Sequence, residues 1–124
     1  MIPASWEWRE RTTFDEGLAE RVRRALRARR RVTERRMFGG LTFLVRGHMC
    51  CGVVGDDLVV RVGPERYADA VSRPGARPMD FTGRSLKGFV YVGPTGYVTD
   101  RTLAKWVRLA TEYVSSLPAK KVDQ

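Results

Sequence analysis

The sequence is poor in the residues that most often carry metal or redox chemistry. It has one histidine, His48, and two cysteines, Cys50 and Cys51, among 124 residues. Neighbouring side chains of a strand point to opposite faces, so a disulfide between these cysteines would strain the backbone. The set also lacks the spacing of a tetrahedral zinc site. We therefore expect reduced thiols, one of them packed in the core, and neither a metal nor another cofactor.

Long apolar runs are missing as well. No segment approaches the roughly 20 apolar residues that span a bilayer. The N-terminus, MIPASWEWRERTT, lacks the basic start and the apolar centre of a signal peptide. These absences predict a cytoplasmic protein that does not contact a membrane.

Basic residues, in contrast, are abundant and concentrated in one segment. The formal net charge is +9 and the pI is about 10.4. The sixteen residues from Arg21 to Arg36 contain nine arginines and one acid, Glu34, which gives this segment a net charge of +8. Such a local excess is typical of a surface that binds nucleic-acid phosphates or an acidic protein face. A solvated helix face in an arginine-rich protein is the alternative.

Apolar periodicity predicts three helices and five strands. Leu18, Val22 and Leu26 share one face of a first helix from Asp15 to Arg30, with arginines on the opposite side. Short glycine-containing connections make the next three strands an antiparallel meander. The remaining predicted elements are strands Leu41–Val45, Met49–Val54 and Leu58–Val62, a helix Pro64–Ser72, strands in ARPMDF and KGFVYVG, and a last helix from about Thr99 to Leu117.

This order, α-β-β-β-α-β-β-α, predicts an α+β fold. We expect a two-layer sandwich in which helices pack on an antiparallel five-stranded sheet. The domain is placed at residues 14–118, between an N-terminal extension of residues 1–13 and a C-terminal tail of residues 119–124. Trp6 and Trp8 either fasten the extension to the domain or contact a partner. The last helix carries a core stripe of Leu103, Trp106, Val107, Ala110, Val114 and Leu117.

The segment RRMFGG, residues 35–40, raises the question of a phosphate-binding loop. Such loops place glycines between a strand and a helix N-terminus, whereas this segment leads into a strand. We therefore interpret Gly39 and Gly40 as a bend or bulge, and Met37 and Phe38 as core residues. A backbone anion nest beside the two arginines is the alternative.

Catalytic combinations of side chains are not apparent. His48 and Cys50 lie close in sequence, but no third group is placed to orient the imidazole. The paired aspartates of GDD are typical turn residues. No small-molecule substrate is evident, and we predict that the protein is not an enzyme.

Two aromatic side chains allow two interpretations. Phe89 and Tyr91 alternate on one strand face with Lys87 in phase. We interpret both rings as core residues covered by the helices. Stacking with nucleic-acid bases is the alternative.

Several of these segments together resemble the TfoX N-terminal domain family. They are RRMFGGLTFLVRGHMCCGVVGDDLVVRVG, GARPMDFTG, KGFVYV and the closing helix with WV, and the similarity runs from about Val32 to Leu117. The most specific part is RMFGG followed by a strand and a turn. The resemblance implies a stand-alone single-domain member with a small α+β fold. Full-length TfoX proteins regulate natural competence as transcriptional coactivators and carry a second domain. For the N-terminal domain by itself, the resemblance implies no particular biochemical activity.

The leading hypothesis is a small non-catalytic regulatory protein that contacts nucleic acid, or another polyanion, through its arginine-rich first helix. The alternative is a protein-interaction or homodimerisation module without nucleic-acid contact, and an unknown enzyme is a third hypothesis. The predicted polyanion-binding residues are Arg23, Arg24, Arg27, Arg30, Arg31, Arg35 and Arg36, and the family motif with a structural role is Met37, Phe38, Gly39 and Gly40.

Overall fold

The described part of the chain folds as two layers, one antiparallel sheet and three helices packed on it. The computed structural model describes residues 14–37, 39–81 and 84–118. It confirms the predicted α+β class and the approximate order of elements. In chain order these are α1 (Glu16–Ala25), β1 (Val32–Met37), β2 (Gly40–Val45), β3 (His48–Val54), β4 (Asp57–Arg61), α2 (Tyr67–Val71), β5 (Ala76–Phe81), β6 (Arg84–Val92), a 3-10 turn (Pro94–Gly96) and α3 (Asp100–Ser115).

Within the described residues the sheet has six strands, in the order β1-β2-β3-β4-β6-β5, so the prediction of five strands was wrong. The missing strand is β1, which pairs only with β2. Its four central residues are all exposed, and its sequence VTERRM shows no alternation of apolar and polar residues. An edge strand without a buried face leaves no periodic signal, and for this reason the pattern did not predict it.

The helices are shorter than predicted. α1 ends at Ala25, not at Arg30, and the backbone N–H of Leu26 donates to carbonyl groups of the last turn. Arg31 then adopts a left-handed conformation, with φ of 60°, that directs the chain into β1. Arginine favours helix, but the pairing of β1 with β2 requires the chain to turn here. No helix in the described part of the chain is long and apolar enough to cross a membrane.

The core lies between the helices and one face of the sheet. Leu18 and Val22 of α1 and the predicted stripe of α3 pack against alternating strand residues such as Phe43, Val60 and Val90, which are fully buried. α3 is fixed at its start by a capping box between Thr99 and Thr102. Because helices and strands bury complementary faces, the apolar stripes of α1 and α3 determine which side of each helix packs against the sheet.

The two aromatic residues of β6 point away from the helices. Val90 and Val92 occupy the core face, and strand alternation therefore places Phe89 and Tyr91 on the opposite face. Both rings are half-buried, and each carries an arginine guanidinium above it at 5.5 and 5.0 Å from the ring centroid. The interpretation of both as core residues under the helices was wrong. A strand with four consecutive large residues does not reveal which alternate pair meets the helices.

The two cysteines are both in the core. β3 contains a bulge, because Leu44 pairs with Met49 while Phe43 pairs with Cys51, which leaves Cys50 as the extra residue. The bulge breaks the alternation of faces, and Cys50 and Cys51 are each fully buried in the same cluster. Both are free thiols, as predicted, but the expectation that only one is packed in the core was wrong.

Both edges of the sheet carry residues that discourage pairing with another strand. β1 presents Glu34, Arg35 and Arg36, and β5 contains Pro78, which has no N–H to donate. The sheet therefore ends on each side in a strand that is poorly suited to extension.

Candidate nucleic-acid interface

Helix α1 and the loop after it position most of the predicted arginines. Asp15 caps the helix by accepting a 3.0 Å hydrogen bond from the backbone N–H of Leu18. With Leu18 and Val22 facing the core, Arg24 lies on the exposed side. Arg27, Arg30 and Arg31 follow the end of the helix and are exposed in the loop that leads to β1. The basic residues thus occupy a helix end and a loop, and the single helix face that the sequence predicted is not formed.

Arg23 is engaged by two carboxylates. Its Nε and Nη2 atoms donate to the two carboxylate oxygens of Glu34 at 2.6 and 2.9 Å, and Nη1 donates to Glu20 at 3.1 Å. The hydrogen bonds from Arg23 hold the pKa of Glu34 below its ordinary value, and those to Glu34 raise the pKa of Arg23. The charge of Arg23 is therefore largely neutralised, and its main effect is to join α1 to β1.

Four of the other arginines of the helix end and loop form what we call the arginine cluster, which leaves out Arg29 because its guanidinium donates to Thr111. No ion pair between residues of the described ranges involves any of them. All are exposed, so their guanidinium groups are open to a ligand. The arginine cluster consists of Arg24, Arg27, Arg30 and Arg31.

The two arginines of β1 lie on opposite faces of the sheet. Arg36 pairs with the core residue Leu41, and its guanidinium lies 5.3 Å from the ring centroid of Phe14, on the helix side. Arg35 pairs with Thr42 on the other face. Both are exposed at the sheet edge. Arg36 is therefore on the same side of the sheet as the helices, and Arg35 is on the opposite side.

A further set of basic residues lies on α3, and the sequence analysis did not identify it. Arg101, Lys105 and Arg108 are exposed and follow one another at spacings of four and three residues, so they share one side of the helix. This spacing, opposite the core stripe, was the signal available in the sequence. α1 lies beside α3, because Arg21 Nε donates to Asp100 at 3.1 Å. α3 therefore carries a basic strip beside α1, whose exposed residues include Glu16 and Glu20 as well as Arg24.

The RMFGG motif closes a hairpin. Met37 pairs with Gly40, so the chain reverses between β1 and β2, and Gly39 in this turn has a φ of 75°. A Cβ atom on Gly40 would overlap the carbonyl oxygen of Val53 in β3. Gly39 thus supplies a left-handed turn position and Gly40 a close approach of two strands. Met37 is half-buried, and Phe38 lies outside the described residues.

The residues considered for catalysis or metal binding have structural partners. His48 Nε2 lies 2.6 Å from the carbonyl oxygen of Pro118, which fastens the chain after α3. Asp57 accepts two hydrogen bonds from Arg77, at 3.0 and 2.7 Å. The pKa of Cys51 is raised well above the ordinary value of a thiol, first by the hydrogen bond between Cys51 and Cys50 and then by burial. A thiolate nucleophile is therefore disfavoured.

Two further observations limit the chemistry available. A cavity of about 340 Å³ lies beside Gly63, Tyr113 and the Arg66–Glu112 ion pair, and it contains neither His48 nor Cys50. Within the described residues, no three His, Cys, Asp or Glu side chains are grouped as metal ligands would be.

Comparison with known families agrees with the fold and the motif just described. Residues 24–113 match the TfoX N-terminal domain. The chain belongs to the TfoX N-terminal domain family. This match begins at Arg24 and contains all six strands, the RMFGG hairpin and most of α3. It therefore also contains the arginine cluster.

Membership of the TfoX N-terminal domain family supports a non-enzymatic, regulatory type of domain. The family is not known as catalytic. Neither the curated proteins nor the solved structures contain a significant match to this sequence.

Proposed function

We propose that this TfoX N-terminal domain protein is a non-catalytic regulatory protein that binds nucleic acid, or a similar polyanion, through the arginine cluster. The observation that carries the proposal is the exposure of the four arginines of the cluster, which lie between residues 24 and 31 and have no carboxylate partner in the described ranges. Arg36 and Arg35 on the adjacent edge strand extend this surface. Arg23 positions β1 beside α1 through Glu34, and contributes little charge of its own.

The expected contacts are to phosphates. Guanidinium groups bind phosphate oxygens with two parallel hydrogen bonds, which a loop and a helix end can present without entering a groove. Phosphate contacts position a protein on nucleic acid but do not read its sequence. Because α1 has only ten residues and one of its faces is packed in the core, we expect weak sequence preference. Because the expected contacts are to phosphates, we expect a strong dependence of affinity on salt.

The test is a fluorescence-anisotropy titration with labelled duplex and single-stranded oligonucleotides at about 50 and 200 mM salt. Each neutralised phosphate steepens the dependence of log K on log salt by roughly 0.9 for duplex DNA, so several contacts weaken binding by about 100-fold or more over this range. The double variant Arg27→Ser/Arg30→Ser should lose at least about 10-fold in affinity at the lower salt.

A matched control removes the same charge near the opposite edge of the sheet. Arg66 and Arg73 flank α2, which packs on β5 and β6, whereas β1 forms the other edge. Arg66→Ser/Arg73→Ser should reduce affinity only slightly. Equal losses in the two double variants would mean that net charge, and not the arginine cluster, governs binding. Absence of binding at low salt would reject the proposed function.

A further inference from the structure

Helices α1 and α3 enclose a surface groove between two polar links. At one end Arg21 Nε donates to Asp100 at 3.1 Å, and at the other Arg29 Nη2 donates to the hydroxyl group of Thr111 at 3.1 Å. The order of these links shows that the two helices run in the same direction. Between them lie two cavities of about 190 and 280 Å³ that meet at Ala25 and Ala104. We call this continuous depression the interhelical groove.

The floor of the interhelical groove is apolar and built from small side chains. Ala25, Ala28 and Ala104 line it, and Leu103 and Val107 lie beneath as buried core residues. Ala28 and Ala104 are exposed, so no long side chain covers this stretch. Along α3, from Asp100 to Thr111, the groove follows about three helical turns, roughly 16 Å. Small residues over this length allow another helix to approach closely, at the 8–10 Å spacing of packed helices.

The rim of the interhelical groove is positive. Arg24, Arg29 and Arg108 line the cavities, and the one acid among the lining residues, Asp100, is paired with Arg21. An apolar floor offers no favourable contact to the phosphates of a nucleic-acid backbone. A helix with one apolar face and acidic flanks matches both the floor and the rim.

An exposed apolar side chain extends the floor at one end. Val98 is 70% exposed, and no other large apolar residue of the described ranges is exposed. It follows Tyr97, whose carbonyl oxygen accepts a 2.8 Å hydrogen bond from Arg21 Nη2. Val98 therefore lies beside the Arg21–Asp100 end of the groove, where it offers further contact to an apolar face.

We propose that the interhelical groove binds one acidic amphipathic helix of a partner protein. Apolar side chains spaced three or four residues apart would contact the alanine floor and Val98, and carboxylates on the flanks would pair with Arg24, Arg29 and Arg108. A second copy of this chain is a poor occupant, because in the described ranges it exposes no large apolar side chain other than Val98. This inference goes beyond the proposed function and concerns a different ligand.

The experiment selects partners from a displayed library of 16-residue helical peptides. Each peptide has a fixed face of Glu and Asp, and a second face randomised among Ala, Leu, Ile, Met and Phe. Selection uses the full chain at about 150 mM salt, and retained peptides are measured by fluorescence anisotropy. Ala104→Phe, which fills the groove, should weaken binding at least 10-fold. The matched variant Ala68→Phe, at an exposed position of α2, should leave binding unchanged.

A second variant keeps the test decisive if Ala104→Phe alters the fold. Arg108→Glu changes the rim charge by two units and should also weaken peptide binding at least 10-fold. Arg27→Ser/Arg30→Ser changes net charge by the same amount and should not. Failure to enrich any peptide, or equal affinity for wild type, Ala104→Phe and Arg108→Glu, would overturn the proposal.

The outcomes also separate this inference from the proposed function. If Ala104→Phe loses oligonucleotide binding while peptides do not bind, the groove belongs to a nucleic-acid surface and the partner helix is rejected. If Arg27→Ser/Arg30→Ser loses oligonucleotide binding but keeps peptide binding, the two ligands depend on different arginines. If peptides bind in the groove and no oligonucleotide binds, the groove proposal stands and the proposed function fails.

Discussion

Arg23 on α1 and Glu34 on β1 form a two-pronged ion pair, with N–O distances of 2.6 and 2.9 Å, across eleven residues of sequence. The pair joins a helix end to an edge strand that has little other contact with the helix layer. It also removes from the surface one of the seven arginines that the sequence predicted for polyanion binding. One contact therefore affects both stability and charge.

Loss of the ion pair should cost little stability. Both side chains are about one-third exposed, at 37% and 36%, so we expect Glu34→Gln to lower the free energy of unfolding by about 0.5–1 kcal/mol. The folded state lowers the pKa of Glu34, so this contribution is complete above the ordinary value of 4.5 and disappears as pH falls through the folded pKa. Urea unfolding from pH 7 to 3 measures it.

The control for that measurement is Glu65→Gln. Glu65 is exposed and makes no ion pair within the described ranges. Its replacement should leave the unfolding free energy unchanged at every pH. A stability difference between wild type and Glu34→Gln that persists undiminished at pH 3 would contradict the electrostatic origin.

Release of Arg23 should strengthen polyanion binding. In Glu34→Gln the guanidinium keeps only Glu20, so Arg23 joins the arginine cluster as a further phosphate contact. For duplex DNA the slope of log K against log salt should steepen by about 0.9, with affinity rising several-fold at about 50 mM salt. Glu65→Gln adds the same net charge elsewhere. An equal gain in both variants would show that the position of Arg23 is irrelevant.

The two glycines of the RMFGG motif should respond differently to substitution. Gly40→Ala places a Cβ against the carbonyl oxygen of Val53 and should cost about 1–3 kcal/mol. Gly39→Ala meets no atom within 4 Å but strains a residue with φ of 75°, a cost of about 1–2 kcal/mol. Gly39→Asn should restore most of this loss, because asparagine tolerates the left-handed region. Thermal or urea unfolding of the three variants measures these losses of stability.

The thiols of the native protein should resist modification. Cys50 and Cys51 are fully buried, so a reagent cannot reach either sulfur, and the raised pKa of Cys51 further disfavours its thiolate. We expect a chromogenic disulfide reagent to react with both only after addition of denaturant. Rapid reaction of either thiol in the folded protein would mean that the bulge of β3 opens readily.

Much of the fold was encoded in local patterns. The stripes at Leu18 and Val22 in α1 and at Leu103 to Val114 in α3 predicted two helices and their buried sides, because burial against a sheet selects a helical period. Short turns containing Gly47 and Gly55 predicted the meander for a similar reason, since both adopt positive φ. The concentration of charge between residues 21 and 36 is equally a property of sequence.

Only the tertiary structure decided which of these residues meet one another. β1 has no buried face, so it becomes visible only through its pairing with β2. The bulge in β3 places the side chains of two adjacent cysteines in the same core. The register of β6 directs Phe89 and Tyr91 away from the helices. Whether an arginine is open to a ligand depends on a carboxylate brought from another element. Periodicity records what a segment buries, whereas pairing between distant segments depends on the assembled chain.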